Sequence, residues 1–271
     1  MISSFRKLLR GKPEAPLPAI PDGERVFAIG DIHGRLDLFT ALIAAVEAQD
    51  ERRGPAHTTI ILLGDLIDRG PDSAGVLTRA RDWQASRTAR GHTLRILMGN
   101  HEEMLLEALD RVAVLRSFVT HGGKETILSF GVDPQAFIEA TWDEVQAMFR
   151  AAMPADIQRF ILGFEHMVRI GDYAFVHAGV RPGQPLETQT PADLRWIREP
   201  FLSSDKSHGA VIVHGHTITD QAVLRPNRIG IDTGAYDSGQ LTALMLEGTE
   251  RWLLSTAEVD GQITTNLRPA V

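Results

Sequence analysis

Three short apolar runs each stop at a glycine that is followed at once by a polar, metal-competent residue. Val26-Phe27-Ala28-Ile29 ends at Gly30-Asp31, Thr58–Leu63 at Gly64-Asp65, and Thr93–Met98 at Gly99-Asn100. Between the first two, Leu36, Phe39, Leu42, Ile43 and Val46 recur at helical spacing. Pro71 stands at or just before the first turn of a second helix. Strands alternating with helices imply βαβ units and a largely parallel sheet, and sites in such folds form outside the carboxyl ends of the strands. Further strands are expected at Tyr173–Val176, Ala210–Val213, Arg228–Ile231, Leu241–Leu246 and Arg251–Leu254. The last two read as a hairpin across Glu247-Gly248-Thr249.

The stretch at about 102–170 departs from this alternation. Ile138, Trp142, Val145 and Phe149 share one helical face, Ile157, Phe160, Ile161 and Phe164 another, and no strand interrupts them. A helical cap within a domain spanning 25–271 is expected. Residues 1–24 divide into a basic tail (Arg6, Lys7, Arg10, Lys12) and a linker carrying Pro13, Pro16, Pro18 and Pro21. No apolar segment of a secretory signal follows those charges, so the cytoplasm is the expected compartment. No run approaches the ~20 apolar residues of a membrane span, so stable insertion is not expected. Ile2, Phe5, Leu8 and Leu9 leave room only for a weak association of the tail with a membrane surface.

The chain of 271 residues contains no cysteine, so any metal must be held by His, Asp, Glu or Asn. Its net charge of −7 argues against nucleic acid as a partner. Later strand ends repeat the design of the first three, with Val176-His177-Ala178-Gly179 and Val213-His214-Gly215-His216-Thr217. Carboxylate, imidazole and amide oxygen together suit two first-row metal ions, which an aspartate commonly bridges. Other motifs fall away. His101-Glu102-Glu103-Met104-Leu105 lacks the second histidine of a zincin helix, and Gly122-Gly123-Lys124 lacks the upstream glycine of a phosphate-binding loop.

Gly-Asp-x-His-Gly, Gly-Asp-x-x-Asp-Arg-Gly, Gly-Asn-His-Glu, His-Ala-Gly and Gly-His-Thr, in this order over about residues 25–246, resemble the calcineurin-like metallophosphoesterases and, within them, the phosphoprotein-phosphatase branch. The resemblance implies an α/β fold of two mixed β-sheets in a sandwich flanked by helices, with a bimetal site at one edge. It implies Asp31, His33 and Asp65 as ligands of a first ion, Asp65 as the bridge, and Asn100, His177 and His216 as the remaining ligands of a second. His101 matches the general acid, Asp68 its orienting carboxylate, and Arg69 a phosphate-gripping arginine. Trp196-Ile197-Arg198-Glu199 points to Arg198, rather than Arg195, as a second.

The implied cofactors are two divalent ions, manganese first, with iron or zinc as alternatives. The implied reaction is hydrolysis of phosphomonoesters on a phosphorylated protein or a small phosphoester, in the manner of a serine/threonine phosphatase. Symmetrical hydrolysis of a dinucleoside tetraphosphate is the main alternative, and a non-catalytic binding module a remote one. His121, in His121-Gly122-Gly123, and His214, just before the Gly-His-Thr triplet, stand beside the motifs without an assigned role, as do Asp232 and Tyr236.

Overall fold

The computed structural model describes residues 17–270, so the basic tail lies outside the described residues. The strands are β1 (Glu24–Ile29), β2 (His57–Leu62), β3 (Thr93–Ile96), β4 (Met167–Ile170), β5 (Tyr173–Val176), β6 (Val211–His214), β7 (Val223–Leu224), β8 (Arg228–Gly230), β9 (Thr242–Glu247), β10 (Glu250–Val259) and β11 (Gln262–Pro269). The helices used below are α1 (Leu36–Arg52), α2 (Ser73–Ala89), α3 (Asn100–Ala108), α4 (Val112–Phe118) and α5 (Lys124–Ser129).

Two mixed sheets result. The first has the order β11-β10-β9-β1-β2-β3 and the second β4-β5-β6-β8-β7. The βαβ pattern is realised in β1, β2 and β3, which pair in parallel with α1 and α2 between them; β5, β6 and β8 also pair in parallel, though β7 rather than a helix lies between β6 and β8. The largely parallel sheet expected from that pattern is extended by antiparallel strands: β9, β10 and β11 on one sheet, β4 and β7 on the other.

Strand pleating decides the layers. Val26 and Ala28 of β1 and Ile61 of β2 face the second sheet and pack with Phe175, Val213 and Ile229. Phe27, Ile29, Ile60 and Leu62 point the other way, onto Leu38, Phe39 and Leu42 of α1 and Val76, Leu77 and Ala80 of α2. Strands buried on both faces lose the apolar–polar alternation and read as continuous apolar runs, which is why β1 and β2 stood out in the sequence.

Helices fill the chain from Asn100 to Leu162, but Met167–Ile170 is a strand. Val168 is buried there while Arg169 is exposed, a two-residue alternation hidden behind the helical spacing of Phe160 and Phe164. β11 was also illegible, because its polar residues lie on an exposed sheet edge. The end of the expected linker is docked. The Ala19 N–H donates to Asp172 Oδ2 at 2.9 Å, Ile20 N–H donates to the Gly248 carbonyl at 2.9 Å, and the Ile20 side chain is buried. No described helix is long and apolar enough to cross a membrane.

The strand ends opposite the glycine-led motifs are tied by charge. Buried Arg25 on β1 pairs with Asp50 of α1 at 2.7 Å and with Glu247 of β9 at 2.8 Å. Arg87 of α2 reaches the same Asp50 at 3.2 Å, and Thr58 Oγ1 donates to it at 2.5 Å. Burial opposes the charge of Asp50, but Thr58 and the two guanidiniums outweigh it and hold the carboxyl below its ordinary range. A lowered folded-state pKa gives stability that is present above the unfolded pKa of about 4 and is lost as pH falls through the folded value. Asp50→Ala should therefore cost about 3 kcal/mol in urea unfolding at pH 7, and the gap to the parent should shrink below about pH 4. A gap that stays constant into acid would show that packing, not the ion pairs, holds this end together.

Candidate metal centre

All the motif residues leave from the carboxyl ends of strands. Asp31 and His33 follow β1, Asp65, Asp68 and Arg69 follow β2, Asn100 and His101 open α3 after β3, His177 follows β5, and His216 follows β6. Backbone hydrogen bonds interlock the loops. The N–H groups of Ile32 and His33 both donate to the Asp65 carbonyl, at 3.0 and 2.9 Å. The buried Glu102 carboxylate accepts the N–H groups of Asp65 (2.9 Å), Leu66 (2.7 Å) and Gly99 (3.0 Å).

The backbone is strained where the side chains converge. His33, Asp65, Asp68, Arg69 and His216 all have φ between 45° and 73°, a region non-glycine residues rarely occupy; Asp260 is the one other such residue described. Close approach requires glycine at several positions in these loops, Gly99 and Gly215 among them. A Cβ on Gly99 would run into Asp65 Oδ1 and Glu102 Oε2, and one on Gly215 into Asp31 Oδ1.

Two donor groups share one carboxylate. Single ligand atoms of His33, Asp65 and His101 lie within 4.8 Å of one another, and so do those of Asp65, His177 and His216. Asp65 Oδ2 stands 3.7 Å from His33 Nε2 and 3.3 Å from His177 Nε2. His33 Nδ1 donates to the Ile67 carbonyl at 2.7 Å and His177 Nδ1 to the Leu63 carbonyl at 2.8 Å. These bonds direct each Nε2 into the cluster, the arrangement that orients metal-ligating imidazoles. Asn100 Oδ1 lies 3.0 Å from His177 Nε2. Asp31 is outside both groups, but its Oδ2 accepts the His216 N–H at 3.0 Å. Asp31 Oδ1 and His216 Nε2 are buried without a hydrogen-bond partner. Buried polar atoms are normally paired, so these donors fit divalent cations.

The electrostatics agree. Burial and the neighbouring Asp232 push the Asp31 carboxyl well above its ordinary range. Burial also opposes the charge of Asp65, but His177 and His101 hold that carboxyl well below its ordinary range. At His177 burial opposes the charge, and Asp65, Asp31 and Glu102 overcome it, raising the pKa to about 10. Burial takes His33 and His216 the other way, to about 3 in each case. The centre favours positive charge among its carboxylates and neutral imidazoles around them, the setting in which divalent ions bind.

His101 Nδ1 lies 2.5 Å from Asp68 Oδ2, and the N–H groups of Asp68 and Arg69 are held by residues of α2 and of the chain between α4 and the end of α5. The Arg69 fork lies 3.0 Å from His33 Nε2 and 3.2 Å from His101 Nε2, and Tyr236 stacks 4.9 Å from its guanidinium carbon. Arg198 is exposed and makes no side-chain hydrogen bond or ion pair among the described residues, while its charge is felt at His216. Arg195 is instead paired with Glu103 at 2.8 Å. His121 is exposed and bonds the Ser117 carbonyl of its own helical turn at 2.7 Å. His214 is buried against Phe201, with Nδ1 on the Gly215 carbonyl at 3.0 Å, and belongs to neither donor group. Glu102, Ser73 and Thr126 escaped sequence reasoning as supports of the site. Glu102 was visible in its motif, but two small hydroxyl residues on separate helices carry no local signal.

The family model of the calcineurin-like phosphoesterases matches residues 24–244. Serine/threonine-protein phosphatase 1 of Salmonella typhimurium is 27% identical over 231 residues, covering 82% of this chain and 92% of that protein. The symmetrical bis(5'-nucleosyl)-tetraphosphatase of Yersinia enterocolitica is 40% identical over 80 residues, covering 30% of this chain and 23% of that protein. Among solved structures, the cold-active protein-tyrosine phosphatase of a psychrophilic Shewanella shares the fold, with a TM-score of 0.55 at 19% identity over 94% of this chain and 88% of that one. With strand-end motifs and a family match that agree over the same span, the chain belongs to the calcineurin-like phosphoesterases.

Proposed function

We propose that this phosphoesterase is a two-metal phosphomonoesterase acting on phosphoserine or phosphothreonine in proteins, with manganese as the foremost metal and the cytoplasm as its compartment. The observation that carries the reading is the shared carboxylate of Asp65, common to both donor groups and set beside the His101–Asp68 pair. Asp31, His33 and Asp65 would hold one ion, and Asp65, Asn100, His177 and His216 the other. When bound, such ions supply Lewis-acid polarisation of phosphoryl oxygens and a more acidic water.

The protein's own part is positioning and proton supply. Arg69 and Arg198 neutralise phosphoryl oxygens through their guanidinium forks. Arg69 lies against His101 Nε2, so a phosphoryl group that draws the guanidinium away frees that nitrogen. Asp68 accepts from Nδ1 and keeps Nε2 facing the cluster, where its proton passes to the departing alkoxide. Burial works against charge on His101, yet Asp65 and Asp68 raise its pKa, which suits an acid at neutral pH.

The phosphatase reading is favoured by likeness along 82% of the chain and 92% of the Salmonella phosphatase. Dinucleoside tetraphosphate hydrolysis is the second reading, favoured by the denser match over 80 residues to the Yersinia protein. Rates on a phosphoserine peptide, an aryl phosphate and diadenosine tetraphosphate, measured side by side with Mn²⁺, separate the two. Higher kcat/KM on the peptide is expected; a preference for the dinucleotide would establish the second reading instead.

Replacing His101 tests its role. His101→Asn should lower turnover by about 10²–10⁴-fold on alkyl phosphates, and far less on an aryl phosphate whose leaving group needs no proton. Metal content should stay at the parent level. A variant that has lost metal would make His101 a ligand, a role its place in the first donor group also permits.

A further inference from the structure

The general acid is held through a hydrogen-bond relay that begins outside the motifs. Asp68 carries the strained φ of 73° and is wholly buried. Its Oδ2 is engaged by His101, and its Oδ1 accepts the hydroxyl of Thr126 on α5 at 2.5 Å. The Asp68 N–H is shared between Ser73 Oγ and Thr126 Oγ1, each at 2.9 Å, and the two hydroxyls lie 2.8 Å apart. The protons can be placed uniquely. Thr126 has one hydroxyl hydrogen and gives it to Asp68 Oδ1, so Ser73 donates to Thr126 Oγ1.

The neighbouring Arg69, with φ of 67°, is held by the same helical segment, since its N–H donates to the Gly122 carbonyl at 3.0 Å. A Cβ on Gly122 would strike Arg69. Two consecutive residues in left-handed conformation thus take their restraints from α2 and from the chain between α4 and the end of α5.

We propose that Thr126 is a positioning residue for the general acid: its hydroxyl fixes the Asp68 carboxylate in the plane and rotamer that hold His101 Nε2 toward the leaving group. The inference rests on the phosphoesterase reading above. Among the described residues the Thr126 hydroxyl bonds only Asp68 and Ser73, so its path to the reaction runs through Asp68 to His101. A valine keeps the shape and removes the hydroxyl, taking the donor from Asp68 Oδ1 and the acceptor from Ser73 while the Asp68 N–H keeps Ser73 Oγ. A serine keeps the hydroxyl and loses a methyl.

The test compares two leaving groups in the metal-loaded enzyme. Thr126→Val should lower kcat on an alkyl phosphate by about 10–100-fold, the usual effect of removing an outer partner of a working side chain. It should leave kcat on p-nitrophenyl phosphate within about threefold and KM for both unchanged, because general acid help matters only where the leaving oxygen needs a proton. Thr126→Ser should restore the alkyl rate. In a His101→Asn background Thr126→Val should have no further effect, because residues acting as a unit do not add.

Equal losses on both substrates, or additive losses with His101→Asn, would overturn the proposal and leave Thr126 a packing residue. If Thr126→Val does not fold, Thr126→Ala is read by the same ratio and the same double variant. If His101→Asn itself shows no leaving-group dependence, the assignment of His101 fails. If it shows that dependence and the Thr126 variants do not, the role of Thr126 alone fails.

Discussion

The site depends on one aspartate that is anchored at every polar atom. The Asp65 carbonyl accepts two N–H groups from the loop after β1, its N–H is taken by Glu102, Oδ1 accepts the His101 N–H at 3.0 Å, and Oδ2 faces His33 and His177. No part of that residue can move without disturbing the loops after β1, β2 and β3 together. A carboxylate desolvated this fully is tolerated only where positive charge or N–H donors compensate it. The surrounding loops supply both, and the left-handed φ of 49° at Asp65 is the backbone cost of aiming it there.

This explains why strain gathers at the site and, among the described residues, nowhere else in comparable number. A sheet delivers side chains to its edge at fixed spacing, and bringing His33, Asp65, His101, His177 and His216 together in one volume needs sharper turns than ordinary loops make. Gly99 and Gly215 give way where backbone and carboxylate approach, and His33, Asp65, Asp68, Arg69 and His216 take conformations that glycine would adopt more readily. The two packed cores on either face of the first sheet supply the rigidity against which those turns are held.

Much of this was legible in the sequence, for a physical reason. Metal and phosphate chemistry demand particular residue types at strand ends, and those demands are local: Gly-Asp-x-His-Gly and Gly-Asn-His-Glu each fit within one turn. The continuous apolar runs of β1 and β2 were equally plain, because both of their faces are buried. What escaped was non-local or weakly patterned. β4 alternates too briefly to compete with the helices before it, and β11 lies on an exposed polar edge. Thr126 and Ser73 are separated by 53 positions and meet only when α5 packs beside α2. The docking of Ile20 under the turn at Gly248 likewise depends on contacts across the whole chain.

The claim on which the account turns is that Asp65 joins two ion sites rather than serving one. Elemental analysis of the purified parent and of Asp65→Asn, each loaded with Mn²⁺ and freed of excess, measures this directly. About two ions per chain are expected in the parent, and less than one in the folded variant, because both donor groups lose their shared oxygen. A folded Asp65→Asn protein that still carries two ions would contradict the account.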